Sequence, residues 1–188
     1  MQLTKRDFLK TVGTVSATAG LGAVLPVRLS GAAPIRRNGK PRLNLSLAAY
    51  SFRDYFKTAT HEQRRLGDAK AIEMHDFIDY CADHGLIGAE LTSYYLDPQI
   101  TQAGLVALKR HAFLRGIAIS GTAVGNVFTL PEGAKRDGQI AHVKKWIDNA
   151  VHMGAPHIRV FAGGTNGRSL KQAQSLCIEA LEEVGEYA

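Results

Sequence analysis

Gly85-Leu86-Ile87-Gly88-Ala89-Glu90-Leu91-Thr92-Ser93-Tyr94-Tyr95 is a helix-ending glycine that leads within three residues into a short alternating strand, which finishes in polar and aromatic side chains. The same unit recurs twice. Gly116 opens Ile117-Ala118-Ile119-Ser120-Gly121-Thr122, and Gly154 opens His157-Ile158-Arg159-Val160-Phe161-Ala162-Gly163, each after a segment of helical periodicity. Helix, glycine, strand and polar end, repeated, is the pattern of consecutive βα units.

Working outward, the 188 residues are 45% hydrophobic and 21% charged, the composition of an ordinary globular domain rather than a disordered or membrane-embedded chain. The net charge of +6 points to polyanions only until it is located. Residues 1–42 hold eight Lys/Arg against one Asp, which leaves 15 basic and 16 acidic residues for the remainder. The folded part is near neutral, which argues against nucleic acid as its partner. Cys81 and Cys177 each fall on the apolar face of a helical pattern and form no CxxC, so both read as buried small hydrophobes rather than metal ligands or a disulfide.

At the N-terminus, Thr4-Lys5-Arg6-Asp7-Phe8-Leu9-Lys10 precedes an uncharged run from Thr11 to Val27 rich in Ala, Gly, Val and Thr. A charged segment before a mildly apolar one is a signal-peptide layout, and the run is too weakly apolar for a spanning helix. It is similar to a twin-arginine export signal, with Lys5 where that pattern has its first arginine. Ser30-Gly31-Ala32 offers small residues for a cut after Ala32. The expectation is a leader over 1–32, a linker over 33–42, export to the periplasm or cell envelope, and no stable membrane span once the leader is removed. The alternative is an ordinary amphipathic N-terminus.

The folded region, 43–188, opens with Leu43-Asn44-Leu45-Ser46-Leu47-Ala48-Ala49-Tyr50, a perfect alternation that predicts a strand with Leu43, Leu45, Leu47 and Ala49 on one face. Residues 51–72 are polar without a sustained stripe and read as a long loop, a feature that tends to be functional. Met74, Phe77, Ile78, Cys81 and Ala82 mark the first helix, and Leu105, Leu108 and Ala112 mark the second, with Asp97-Pro98 and Thr101 as its N-terminal signals. A third helix carries Ile140, Val143, Ile147, Ala150 and Val151. Ser169 with Gln172 opens a fourth as a capping box. Between them, Gly121 and Gly125-Asn126 leave room for close backbone approach.

Four strands and four helices fit either a small open sheet or the first half of a (β/α)8 barrel, which takes about 250 residues in full. Strand parity favours the barrel half. Ala89/Leu91, Ile117/Ile119 and Ile158/Val160 form apolar sets for an outer helical layer, whereas Glu90/Thr92, Ala118/Ser120/Thr122 and His157/Arg159/Phe161 face inward. Such a half leaves open strand edges and an uncovered inner face.

The motifs Ala49-Tyr50-Ser51-Phe52-Arg53, Asp76-Phe77-Ile78-Asp79-Tyr80, Gly88-Ala89-Glu90-Leu91-Thr92-Ser93-Tyr94-Tyr95 and Arg159-Val160-Phe161-Ala162-Gly163 resemble the sugar phosphate isomerase/epimerases with a xylose isomerase-like TIM barrel, in particular their exported branch. The resemblance covers 43–188, as the N-terminal half of that barrel. It implies a divalent metal (Mn, Mg, Co or Zn) held on the later strands, and paired glutamates that move a proton through an enediolate-like intermediate. No residue of 1–188 inherits a metal-ligand or catalytic role from it. It also implies a small-molecule sugar or sugar phosphate as partner, with a homo-oligomer possible.

The substrate-side candidates are Tyr50, Phe52, Glu90, Thr92 and Arg159. An inward carboxylate is costly to bury alone, and Arg159 on a strand of equal parity is its expected ion-pair partner. Core packing is the competing reading of Tyr50 and Phe52. The seven histidines show no HxxxH or HExxH spacing and read as solvated or hydrogen-bonded. Gly163-Gly164-Thr165-Asn166-Gly167 could cradle a phosphate, a weak signal because glycine turns are common before helices. Against the isomerase reading stand a non-catalytic carbohydrate- or partner-binding barrel and an endonuclease IV-like enzyme. The near-neutral folded part argues against the last.

Overall fold

A computed structural model describes Gly39, residues 43–58 and residues 70–188 of the chain. The leader and most of the linker lie outside the described residues. Arg42–Ala188 form one compact unit.

The elements are β1 (Ser46–Ala48), α1 (Met74–Asp83), β2 (Gly88–Thr92), α2 (Gln102–Leu114), β3 (Ala118–Ala123), α3 (Ala134–Met153), β4 (Ile158–Arg159) and α4 (Leu170–Tyr187), with short 3-10 turns at Ala49–Phe52 and Ser93–Tyr95. Local chemistry explains their limits. Thr101 caps α2 by accepting from the Gly104 N–H, and Ser169 and Gln172 form the expected capping box on α4. Glu73 and Asp76 form a second box on α1 that the sequence reading did not identify. The first three helices end alike. Gly85, Gly116 and Gly154 sit at φ of +70°, +71° and +75°. The next residue closes each end: Leu86 N–H donates to Cys81 O, Ile117 N–H to Ala112 O and Ala155 N–H to Ala150 O.

All four strands are parallel, in the order β1-β2-β3-β4. Parallel neighbours in sequential order connect by right-handed crossovers as a rule, which puts α1, α2 and α3 on one face, as in a barrel wall and unlike a doubly wound sheet. That face is the core: Ala89 and Leu91 are fully buried, together with Phe77, Ile78, Cys81, Leu105 and Val143. Cys81 and half-buried Cys177 are free thiols. Among the described residues no helix is long and apolar enough to cross a membrane.

Several expectations require correction. β1 begins only at Ser46, and Leu43 and Leu45 are 95% and 67% exposed. Ile87 N–H still donates to Leu45 O at 3.1 Å, but the paired register begins only where β2 starts, opposite Ser46. Tyr50 belongs to the 3-10 turn, not to the strand. The polar stretch after it hides a buried anchor: Phe56 is fully buried, bridges to Ile72 and stacks on Tyr95 at 4.6 Å and 9°.

β4 is two residues rather than seven, because its continuation is tied by other bonds to the segment that follows β3. Asn126 accepts from Phe161 N–H (2.8 Å) and donates to Phe161 O (2.7 Å), and Phe128 N–H donates to Ala162 O. Thr122 is not inward. The β2–β3 register slips between Ala89 and Glu90, from Ala89↔Ile119 to Glu90↔Gly121. One extra residue on β3 reverses its parity. Thr122 therefore shares a row with Leu91 and Ile158 on the helix side, where it is 1% exposed and donates to Leu91 O at 2.6 Å.

Candidate functional site

The register sorts the inner face into rows. In the lowest, Ser46 lies over Gly88, and its hydroxyl meets that of Ser120 at 2.6 Å. The middle row is Glu90, Gly121 and His157. Glu90 pairs with Gly121, and Thr122 N–H donates to His157 O. A Cβ added at Gly121 would stand 2.5 Å from His157 Nε2, so the imidazole lies over this glycine. Thr92, Ala123 and Arg159 make the upper row. Side chains from alternate strands thus reach across β3, as in the layered interior of a barrel.

These rows overturn the expected Glu90–Arg159 ion pair. Arg159 is level with Thr92, one layer above Glu90, and no ion pair joins the two among the described residues. Half-buried Glu90 instead accepts from the Thr92 hydroxyl at 3.3 Å. Arg159 Nη1 donates to Tyr94 OH (3.2 Å) and Val124 O (3.4 Å), and its guanidinium lies 4.0 Å from the Phe161 ring centroid and 5.9 Å from that of Tyr94.

Aromatic rings continue from Arg159 along the C-terminal rim of the strands. Tyr94 meets Tyr95 at 6.0 Å, and Tyr95 meets Tyr50 at 6.4 Å. Arg53 lies over the Tyr50 ring at 5.3 Å and reaches Asp54 at 3.6 Å. Burial pushes the Tyr95 hydroxyl up to about 12, so it stays a neutral hydrogen-bonding group. Tyr94 holds its position because Gly125 has no Cβ, which would come within 3.1 Å of the ring.

Of the five expected residues, the structure brings Glu90, Thr92 and Arg159 onto adjoining rows and puts Tyr50, half exposed, on the same rim. Phe52 sits apart from them. Its ring packs on Tyr80 (4.8 Å) and Phe77 (5.6 Å) of α1. The sequence put His157 and Phe161 on the inner face without marking them as substrate-side candidates, and it did not place Tyr94 there. Their signal was Gly121 and Gly125: a glycine in an inward row marks where a neighbour's side chain crosses.

In the glycine loop over 163–167 the carbonyl of Gly164 is tied down from both sides. Gly164 O accepts from the Thr129 hydroxyl and from Asn166, and the Ser169 N–H is taken by Gln172. A cavity of about 420 Å³ lies elsewhere, between α1 and α2, walled by Met74, Tyr95, Pro98 and Leu108. It adjoins the hydrophobic core and shares none of the inward polar rows.

Among the described residues no three His, Cys, Asp or Glu side chains converge to hold a metal ion. Those described residues therefore form no site for the divalent ion that the resemblance implies. The inner face offers one carboxylate and one imidazole in a single row and one guanidinium in the row above, beneath an aromatic rim, an arrangement able to orient a small polyhydroxylated molecule.

The family model described as xylose isomerase-like TIM barrel matches residues 78–188. Among solved structures, D-psicose 3-epimerase with D-tagatose from Clostridium cellulolyticum H10 aligns at TM-score 0.59 and 15% identity, covering 77% of this chain and 48% of that one. A protein from Sinorhizobium meliloti 1021 aligns at 0.57 and 21% identity, with 77% and 46% covered. The probable 3-DHS dehydratase AsbF from Bacillus anthracis, involved in petrobactin synthesis, aligns at 0.50 and 18% identity, with 77% and 49% covered. The chain spans about half the length of these structures. At such identities the likeness is one of fold, which hosts more than one chemistry. No curated protein gives a significant match.

Proposed function

The chain belongs to the xylose isomerase-like TIM barrel family, and on that premise we propose that it forms the substrate-facing wall of a sugar isomerase or epimerase site. The observation that supports this most is the placing of Glu90 and His157 in one inward row and Arg159 in the next, beneath exposed rings. In this reading Tyr50 and Phe161, 50% and 48% exposed, stack against the apolar face of a sugar ring. Thr92 holds the Glu90 carboxylate with one oxygen directed, so that the other accepts from a sugar hydroxyl. A proton shift between neighbouring carbons takes a base and an acid. Glu90 and His157 occupy one row and are the groups on this wall able to take those parts. Divalent metal dependence belongs to the proposal for the family fold as a whole and assigns no residue of this chain.

Saturation-transfer NMR of the chain with D-tagatose and D-fructose tests the reading. Transfer to the ketose ring protons that falls in Glu90→Gln and Tyr50→Ala is the expected result. Its absence for both sugars, in protein with an intact fold, would overturn the proposal. The exposed Tyr50 and Phe161 equally favour a carbohydrate-binding wall without catalysis, which the same spectra would show as binding with no new sugar signals over time. We further propose that the N-terminal segment directs export. Changing Lys5 and Arg6 together to Gln should strand the protein in the cytoplasm, and unchanged fractionation would refute it.

A further inference from the structure

We propose that the cavity between α3 and the segment joining β2 to α2 is a binding site for a small aromatic carboxylate, separate from the inward face and independent of the sugar reading. Its helix side follows a single period. His142, Lys145, Trp146 and Asn149 recur at i, i+3, i+4 and i+7, which puts them on one face of α3, apart from the core stripe of Ile140, Val143 and Ile147. A stripe at that spacing usually packs against the next element. Here Tyr94, Leu96, Pro98 and Ile100 stand opposite it and leave about 410 Å³ open, within the span of small-ligand pockets, which begin at about 300 Å³. Tyr94 also belongs to the inner face: its ring rests over Gly125, and its hydroxyl accepts from Arg159.

Charge and an unused donor set this cavity apart. Of four cavities along the described residues, the one between α1 and α2 is walled by Lys57, Glu73 and Asp97, and another by Arg168 and Lys171 with Glu132 and Glu179, while a third beside Cys177 has no charged side chain. This one carries Lys145 and no carboxylate. A negative group is therefore the charge that fits. Burial, with Lys145 beside it, holds the His142 imidazole below its ordinary value, so His142 joins as a neutral hydrogen-bonding group. The unused donor is Trp146, only 8% exposed, whose indole N–H has no hydrogen-bond partner among the described residues and yet is not sealed off as a buried unsatisfied atom. A buried indole ordinarily finds an acceptor, so this N–H is left for a ligand. The rings of Trp146 and Tyr94, with Pro98 beside them, favour a flat aromatic body over a flexible chain.

Trp146 is the single tryptophan of the chain, so its emission reports on the cavity directly. The test titrates the purified chain with phenylacetate, its uncharged amide phenylacetamide, and acetate. The expected result is a saturable change in Trp146 emission with phenylacetate, at an affinity at least about threefold tighter than for the amide, and no change with acetate, which lacks the ring. The advantage over the amide should vanish in Lys145→Gln, an exposed position whose folding a melting curve verifies. In the unmodified chain it should shrink in about 1 M KCl, which screens the charge of Lys145 and serves if the variant does not fold. No saturable change with phenylacetate, equal affinity for the acid and its amide, or an advantage that survives either Lys145→Gln or high salt would overturn the site. None of these outcomes touches the binding of D-tagatose or D-fructose on the inner face, so the two readings stand or fall separately.

Discussion

The helix-facing and inward-facing sides of the same four strands are held together by different physics. On the helix side, Ala89 and Leu91 are fully buried, and their contribution is contact area with α1, α2 and α3. On the inner side, half-buried Glu90 and Arg159 and exposed Ser46 are placed by a few side-chain hydrogen bonds and by the absence of a Cβ at Gly88, Gly121 and Gly125. One face tolerates no loss of volume. The other leaves little room for a gain of it.

The contrast breaks if deletion on the helix face is cheap. Leu91→Ala removes a side chain with no exposed surface from the centre of the sheet and should cost about 2–5 kcal/mol of stability, read by urea unfolding. A loss well under 1 kcal/mol would mean that the outer layer is not the core of this unit.

The opposite substitution probes the inner face. Gly121→Ala places a methyl 2.5 Å from His157 Nε2, and because that exposed ring can swing aside the cost should be under about 1 kcal/mol, less than overpacking in a closed core. Because the obstacle is a single ring, His157→Ala in the same chain should recover most of the loss. A double-mutant cycle would then show coupling between residues on different strands. Additive effects would mean that the imidazole does not rest on Gly121.

The two faces also differed in how far they could be read from sequence. The outer sets Ala89/Leu91 and Ile158/Val160 follow from period-two alternation in short parallel strands, and the glycine-ended helices repeat one hydrogen-bonded pattern three times. Parity on β3 could not be read past Ser120. A register slip depends on how two strands pair, and neither strand's own pattern carries it. The same missing knowledge of register misplaced the partner of Glu90, since parity says which face a residue takes but not its height. Phe56 was obscured because a lone aromatic in a polar stretch has no periodicity, and its burial depends on Tyr95 some forty residues on. Gly121 and Gly125 were visible as places of close approach. Which side chains approach, His157 and Tyr94, is a property of the fold.

Thr122 tests that register slip directly, with a smaller effect than Leu91. Its hydroxyl is buried on the helix side and donates to Leu91 O, so Thr122→Val keeps the shape and leaves that second acceptor site unmet, at about 1 kcal/mol. Were Thr122 inward, as alternation alone would have it, valine would be nearly neutral. A neutral result in urea unfolding would therefore restore the unslipped register.

The smallest effect sharpens the comparison through pH. Cys81 is fully buried on the apolar face of α1, and burial pushes its thiol up to about 11. Its folded value lies above the unfolded one, so the favourable contribution is whole below the unfolded value of about 8.5. It is lost as pH rises from there through about 11, because only the unfolded chain releases the proton easily. Tyrosines and lysines titrate over the same span, so the quantity to measure is the difference between wild type and Cys81→Ala. Stability of the wild type should fall more steeply above pH 9, so its advantage over Cys81→Ala should be constant below pH 8 and shrink as pH rises above 9. The same burial should keep Cys81 unlabelled by iodoacetamide in the native chain at pH 8, with half-buried Cys177 as the internal control. Parallel pH profiles, together with native-state labelling of Cys81 as fast as that of Cys177, would place the thiol in a solvated crevice and remove the dry outer layer on which the contrast between the two faces depends.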